Sequence, residues 1–170
     1  MGVLIRGAES GDALGIARVH VRSWQVGYRG LLPDDYLDKL RPEERAVRYR
    51  LGSNDPREPA TLVAIEQGAI VGFATTAPAR DADAQEKGEL AALYVDPDWW
   101  SRRIGRSLMA EARARLVAQG FSVAVLWVLV GNVRGQRFYA RDGWRPDGSR
   151  RTDEVWGIAI DEIRYQRSLV

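Results

Sequence analysis

Residues 122–130, SVAVLWVLV, form an almost uninterrupted apolar run. A strand that is apolar on both of its faces belongs in the interior of a sheet that is covered on both sides. The run is far shorter than the roughly 20 residues that a membrane-spanning helix needs. The chain must therefore supply helices to both faces of a central sheet.

The sequence before this run predicts one strand, several helices and then three more strands. VLIR (3–6) is a short strand, and Ser10 or Asp12 is the N-cap of a first helix. The buried stripe of that helix is predicted from the helical spacing of Leu14, Ala17, Val21, Trp24 and Tyr28. Short helices are expected from Pro33 and over 42–51. The three strands are 61–66, 70–78 and 88–95, with a tight turn after the first and a mobile polar loop after the second.

The remaining segments complete an α/β pattern. Ile104, Leu108, Ala112 and Leu116 share one helical face, and Asn132 caps a further helix that runs to about Arg141. Extended structure follows Trp144, with 155–169 as the last strand. No repeat and no linker interrupts the 170 residues, so a single domain is expected over 1–170. We predict a mixed, mostly antiparallel central sheet of six to seven strands with helices on both faces.

Composition excludes several classes of protein. A net charge of +2, with acids and bases interspersed, argues against a general nucleic-acid binder, and no DNA partner is expected. No signal sequence or membrane segment is evident, so a soluble, cytoplasmic protein is expected. The absence of cysteine and of a second histidine makes a metal site improbable. Arginine supplies 23 of the 25 basic residues, and its planar, permanently charged group suits phosphate and carboxylate.

One segment between a predicted strand and a predicted helix has the features of an anion site. WWSRRIGRSLM (99–109) combines the start of a helix with Gly105 and three arginines, Arg102, Arg103 and Arg106. Unpaired N–H groups and the helix dipole favour an anion there. The same residues also fit a helix start that only faces solvent. Neither GxxxxGK[ST] nor GxGxxG occurs, so the common nucleotide loops are excluded.

The segment ELAALYVDPDWWSRRIGRSLM (89–109), the apolar strand and GNVRGQRFYARDGW (131–144) together resemble the GCN5-related N-acetyltransferase (GNAT) family over nearly the whole chain. Residues of the second motif match the family pattern position by position: Asn132, Gly135, Phe138, Tyr139, Gly143 and Trp144. The first half, residues 6–37, is similar to the acceptor-side helices of small acetyltransferases. The first motif departs from the family pattern: Trp100 replaces Gln or Arg, while Ser101 and Arg103 replace glycines. Backbone binding of a pyrophosphate persists if Arg103 adopts the required φ and ψ.

The resemblance implies an enzyme that moves an acetyl group from acetyl-CoA to a primary amine of a small molecule or peptide. The amine attacks directly in a ternary complex, and CoA is the second product. Glu89 resembles the general base and Tyr139 the general acid of the family. The resemblance assigns cofactor binding to Leu93, Tyr94, Val95, Arg102, Arg103, Ile104, Gly105, Arg106, Ser107, Asn132 and Tyr139. It assigns the acceptor pocket to Trp24, Tyr28 and Tyr36.

Each assignment has a structural alternative. Glu89 is also explained as a solvent-exposed strand residue, Tyr139 by packing and Asn132 by helix capping. Trp24 and Tyr28 fit a core stripe, and His20 is either a second base or a buried structural residue. The Trp99 and Trp100 pair fits packing, an adenine contact or a dimer surface, so a homodimer stays open.

Two other functions stay open as well. The degenerate loop fits a catalytically silent CoA-binding domain. A group of arginines favours an acetyltransferase acting on an RNA-linked amine: Arg134, Arg137, Arg141, Arg145, Arg150 and Arg151.

Overall fold

A seven-stranded sheet runs through the protein, and only one pair of neighbouring strands is parallel. The computed structural model describes residues 2–170. Its strands are β1 (Leu4–Gly7), β2 (Ala60–Glu66), β3 (Ala69–Pro78), β4 (Gly88–Val95), β5 (Val123–Leu129), β6 (Arg145–Val155) and β7 (Ile158–Ser168). Their order across the sheet is β1-β2-β3-β4-β5-β7-β6, and β4 and β5 are the parallel pair. The predicted mixed, mostly antiparallel sheet is confirmed.

Helices cover both faces of the sheet, as the apolar β5 requires. They are α1 (Ala13–Gly27), α2 (Asp34–Asp38), α3 (Pro42–Ala46), α4 (Ile104–Ala118) and α5 (Val133–Arg141). Short 3₁₀ turns precede α1 and α4, at Ser10–Asp12 and Pro97–Trp99. Within residues 2–170, no helix is both long enough and apolar enough to span a membrane.

The two faces of the sheet have separate apolar cores. On one face, Ile16 and Val19 of α1 pack on Val63 and Phe73, and this side is called the α1 face. On the other, the α4 face, Leu108 and Leu116 pack on strand residues that include Leu62, Ala74, Leu90 and Leu126. Ala124, Leu126 and Val128 of β5 belong to the core of the α4 face, whereas Val125 and Leu129 are buried in smaller clusters.

The parallel strands β4 and β5 touch over only two residue pairs. Gly88 lies opposite Ala124 and Glu89 lies opposite Val125, and the pairing then ends. The remaining six residues of β4 and the end of β5 therefore face each other across a gap that no strand fills. This split lies at the carboxyl ends of both strands, next to the helices that follow them.

A β-bulge in β4 decides which side chains face α1. Thr75 pairs with Ala92 but Thr76 pairs with Leu90, so Ala91 is an extra residue in β4. The extra residue reverses the alternation of side chains along the strand. Glu89 therefore lies on the same face as Tyr94, although residues an odd number of positions apart lie on opposite faces of a regular strand.

Two sequence expectations were wrong in detail. The predicted last strand, 155–169, is interrupted by a two-residue turn at Trp156 and Gly157, whose φ angles are 53° and 76°. Tryptophan is a rare residue at such a left-handed position, so the sequence did not indicate a turn. The predicted helix over 42–51 ends at Ala46. The loop before β4, for which mobility was expected, is joined to β7 by ion pairs of Arg164 with Asp81 and Asp83.

Candidate active site

The loop before α4 keeps the backbone conformation of a glycine-rich loop without its glycines. Ser101 has φ 62° and Arg103 has φ 67°, both in the left-handed region that glycine favours. Arg103 is also the N-cap of α4, and its side chain does not bond to the helix. On the sequence alone, backbone binding of a pyrophosphate required an unusual φ at Arg103. The structure has this φ.

Five arginines at the starts of α4 and α5 have no acidic partner. Among residues 2–170, none of them lies within ion-pair distance of a carboxylate: Arg102, Arg103, Arg106, Arg134 and Arg137. Helices α4 and α5 both begin where the split strands end, so their N-terminal N–H groups flank the same gap. This combination of uncompensated cations and helix N-termini can hold a polyanion such as a diphosphate.

Two residues of the predicted loop act through packing. A Cβ atom on Gly105 would lie 3.3 Å from the ring of Phe138, so glycine allows α4 and α5 to approach closely. The side chain of Ile104 is buried in the core of the α4 face, which leaves only its backbone for a ligand. The Ser107 N–H donates to the carbonyl of Arg103 within α4.

The edge of β4 presents backbone groups to the split. Asp96 N–H donates to the Val71 carbonyl at 2.8 Å and continues the ladder with β3. Because antiparallel pairs alternate in direction, the backbone groups of Leu93 and Val95 point away from β3, while those of Tyr94 pair with it. The Val95 carbonyl already accepts from Ser23 Oγ at 3.0 Å and Trp100 Nε1 at 2.8 Å.

The side chains of Asn132 and Tyr139 have different surroundings. Asn132 accepts a hydrogen bond from the Gly135 N–H at 3.0 Å and caps α5, so its amide oxygen is occupied. Tyr139 packs against the core of the α4 face beside Phe138 and Tyr165. Burial raises the pKa of the Tyr139 hydroxyl well above its ordinary range. No hydrogen bond from another described residue reaches this hydroxyl, which stays protonated and available.

Glu89 is buried rather than exposed to solvent. Only 7% of the residue is accessible, and burial raises the pKa of its carboxyl. Asp81 and the buried carboxylate Glu162 of β7 add to this rise, while Arg80 and Arg151 oppose it. Glu162 accepts from Arg151 Nε at 3.0 Å, and burial also raises its pKa.

Glu162 was not predicted from the sequence. A cavity of ≈ 410 Å³ opens at the end of β5 beside it, lined by Val130, Arg150, Arg151, Thr152, Asp161 and Glu162. The only sequence signal was a pair of charged residues two positions apart in β7, Glu162 and Arg164. That spacing usually marks a solvent-facing strand rather than a buried site.

The three predicted acceptor residues lie together on the α1 face. Trp24 is 2% accessible and its ring lies 5.0 Å from that of Tyr28. The Tyr28 hydroxyl is 3.4 Å from that of Tyr94, and burial raises its pKa well above the usual value. Tyr36 donates to the carbonyl of Trp156 at 2.9 Å, and Trp156 stacks on Trp24 at 4.3 Å. Trp156 was not predicted, because it reaches this cluster only through the unexpected β6–β7 turn.

His20 lies in the same cluster as a neutral, hydrogen-bonded residue. Its Nδ1 is 2.7 Å from the Tyr49 hydroxyl, and its ring packs 4.6 Å from that of Tyr94. Burial, assisted by the charge of Arg45, lowers the pKa of His20 well below its ordinary value. The geometry favours the structural alternative over a second base.

The mixed sheet splits between two parallel strands, and cations and helix N-termini lie at the split. These features define an α/β protein that can bind an anionic ligand at a sheet opening. Residues 9–144 match the model of the acetyltransferase (GNAT) family. The chain belongs to this family, as the sequence motifs predicted.

Individual relatives agree with this assignment. The chain is 32% identical over 130 residues to the uncharacterized N-acetyltransferase YuaI of Bacillus subtilis, covering 76% of this chain and 73% of that protein. It is 24% identical over 159 residues to spermidine N(1)-acetyltransferase of Thermoplasma acidophilum, covering 91% and 96%. The crystal structure of PaiA N-acetyltransferase from Thermoplasma acidophilum in complex with coenzyme A has the same fold, with a TM-score of 0.73 at 22% identity over 99% of each chain.

Proposed function

We propose that the protein is an acetyl-CoA-dependent N-acetyltransferase that acts on a primary amine of a small molecule or peptide. One observation carries the proposal. The split between β4 and β5 has two helix N-termini at its mouth, with five arginines that have no acidic partner among residues 2–170. Such an uncompensated positive site is costly for a protein unless an anion neutralises it.

The residues at the split fit coenzyme A. The diphosphate would lie on the backbone of 101–106, with the side chains of Arg102, Arg103 and Arg106 nearby. Leu93 has its N–H and carbonyl directed at the gap, where an extended amide-containing arm could pair as an added strand. When bound, acetyl-CoA supplies the acetyl thioester, whose C–S bond breaks as the amide C–N bond forms.

Glu89 is the proposed general base for the acceptor amine. An alkylamine is almost wholly protonated at pH 7, so it must lose a proton before it can attack. The raised pKa of the Glu89 carboxyl brings it closer to the value that suits a base at neutral pH. Glu162, on the same face, would hold the ammonium form close to Glu89 before the proton moves to Glu89 through water.

Tyr139 is the proposed acid for the departing thiolate. Its hydroxyl is protonated at neutral pH because burial raises its pKa, and it has no competing partner within the described chain. An interaction with Tyr94 adds to the same rise in pKa.

The first test is binding. Calorimetric titration with acetyl-CoA is expected to give micromolar affinity, and Arg103→Glu is expected to weaken it at least about tenfold through charge reversal at the mouth. Arg50→Glu is the matched control, since it makes the same charge change at an exposed residue that follows α3. Equal affinities for both variants and the native protein would contradict the anion site.

The second test is turnover. Release of free thiol from acetyl-CoA is measured with a panel of primary amines that includes spermidine, the substrate in the name of one relative. Thiol release that depends on an added amine supports the enzyme. Binding of acetyl-CoA without amine-dependent release from any member would favour the catalytically silent domain.

A further inference from the structure

Three buried N–H groups in one aromatic cluster have no acceptor. They are Nε1 of Trp24, Nε1 of Trp156 and Nε of Arg45. Only five buried side-chain polar atoms lack a hydrogen-bond partner across residues 2–170, and three of the five are here. Buried donors without acceptors are uncommon in native proteins, so their concentration in one place needs a physical explanation.

The three donors belong to groups that are in mutual contact. The rings of Trp24 and Trp156 lie 4.3 Å apart, and the guanidinium carbon of Arg45 is 4.4 Å from the centre of the Trp156 ring. Arg45 is also 5.5 Å from the ring of Tyr49. No carboxylate of residues 2–170 forms an ion pair with Arg45.

The neighbouring hydroxyl groups do not accept from these donors in hydrogen-bond geometry. The Tyr49 hydroxyl lies 2.7 Å from His20 Nδ1, and Tyr36 donates its own hydroxyl to the Trp156 carbonyl. Arg45 lies near the Tyr49 hydroxyl and the Trp24 indole near the Tyr94 hydroxyl, yet Arg45 Nε and Trp24 Nε1 are left without partners. Indole and guanidinium groups are donors only, so one external acceptor group would satisfy all three.

Two buried carboxylates, Glu89 and Glu162, lie on the same face of the sheet as this cluster. Glu89 shares the face of Tyr94, and Glu162 pairs with Leu129, which packs in the cluster of Trp24. Burial raises the pKa of Tyr28 and Tyr94; Glu162 adds to both rises, and Arg45 opposes the rise at Tyr94. His20 is neutral and adds no charge to this face.

We propose that the acceptor is an amino acid or a similarly bipolar amine, whose carboxylate is bound by Arg45, Trp24 and Trp156 while its amine faces Glu162 and Glu89. This inference rests on the proposed function. A carboxylate matches the planar fork of arginine and supplies acceptors for both indoles. The amide forms at the amine nitrogen, whose proton passes to Glu89, and the product is an N-acetyl amino acid. A polyamine would leave all three donors unpaired.

The test compares amines that differ only in the carboxylate. Thiol release from acetyl-CoA is measured for amino acids and their primary amides, and for lysine beside cadaverine. The native protein is expected to favour the carboxylate-bearing member by at least about tenfold in kcat/KM, the effect of one charge-assisted contact. Arg45→Gln is expected to reduce this ratio to near one, mainly through a lower kcat/KM for the carboxylate-bearing amines.

A second variant and a binding measurement keep the test decisive. Trp156→Phe keeps an aromatic ring but removes the indole N–H, so it should lower the preference for the carboxylate-bearing amine without loss of folding. Arg48→Gln, an exposed neighbour that follows α3, should change nothing. Without any cofactor, the same amino acids are expected to raise the Tm of the native protein and not that of Arg45→Gln.

The outcomes separate this inference from the proposed function. Equal or better turnover of the amides, of cadaverine or of spermidine would overturn the bipolar acceptor while supporting the acetyltransferase. If no amine releases thiol, the thermal measurement still decides, because it does not depend on turnover. No carboxylate-dependent rise in Tm would then overturn the inference.

Discussion

Trp100 donates its indole N–H to the carbonyl oxygen of Val95 at 2.8 Å, across the mouth of the split between β4 and β5. Ser23 donates to the same oxygen, so both of its lone pairs are engaged. The Arg134 guanidinium lies 3.3 Å from the centre of the Trp100 ring and holds it from the other side. Trp100, which replaces the usual Gln or Arg of the loop, thus occupies the backbone carbonyl of Val95, a residue that the family resemblance assigned to cofactor binding.

Trp100→Phe is predicted to tighten the binding of CoA. The phenyl ring keeps the stacking with Arg134 but cannot donate to Val95, so the carbonyl is released for the ligand. One net hydrogen bond is worth about 1 kcal/mol, which corresponds to about a fivefold lower Kd in calorimetry. Trp99→Phe is the control, since Trp99 packs on the core beneath Arg102. Weaker binding by Trp100→Phe would show that the indole contacts the ligand itself.

Ser101→Gly and Arg103→Gly are predicted to stabilise the fold while differing in their effect on binding. Each residue has a left-handed φ that costs a non-glycine side chain about 1 kcal/mol or more. Glycine removes that strain and adds unfolded-state entropy, so the net gain should be about 0.5 kcal/mol in chemical denaturation. Only Arg103→Gly removes a charge from the mouth, so only this variant should bind CoA more weakly. A loss of stability in both would contradict the strained loop.

Much of the fold could be predicted from the sequence because its signals are local. The apolar run of β5, the helical stripe of Leu108 and Leu116, and the Asn132 cap each depend on neighbouring residues. The structure places these features within a residue or two of the predicted positions. The motif with Phe138 and Tyr139 led to the family in the same way.

The rest of the candidate site depends on long-range pairing that local patterns do not contain. The bulge at Ala91 is visible only in the register between β3 and β4, and it puts Glu89 on the face of Tyr94. Trp156 joins Trp24 only because a tight turn folds β6 back along β7. Glu162 has no distinctive sequence signal, and only the packing of β6 and β7 beside the end of β5 places it at a cavity.

Glu89→Gln is predicted to be less active and, at neutral pH, more stable. The pKa of Glu89 is raised in the folded protein, so the stability that its bound proton provides is complete below the unfolded pKa, about 4.3, and is lost as pH rises through the folded pKa. The amide carries no charge, so the variant should have the higher Tm at pH 7 and lose this advantage near pH 4.

The activity of Glu89→Gln provides an independent check. Its kcat should fall about 100-fold, with loss of the acidic limb of the pH–rate profile. Glu86→Gln, at an exposed position of the loop before β4, should match the native protein in both measurements. An unchanged pH–rate profile in Glu89→Gln would remove this carboxylate from the mechanism.

Tyr139→Phe is predicted to reduce turnover without reducing stability. The hydroxyl makes no hydrogen bond within residues 2–170, so its removal should change the free energy of unfolding by less than about 0.5 kcal/mol. Loss of a positioned proton donor should lower kcat about 100-fold and leave the Kd of acetyl-CoA nearly unchanged. Full turnover with native stability would reduce Tyr139 to a packing residue.

Arg164→Met is predicted to be the most destabilising of these changes, because it leaves several carboxylates without their cation. The Arg164 side chain is 5% exposed and forms ion pairs with Asp81, Asp83 and Asp147, which hold the loop before β4 to β6 and β7. Removing one member of a buried ion-pair group costs about 3 kcal/mol or more. Chemical denaturation should show this loss. Arg57→Met, which breaks only the surface pair with Asp55, should cost less than about 1 kcal/mol. Similar losses in the two variants would mean that Arg164 does not fix the loop that leads into Glu89.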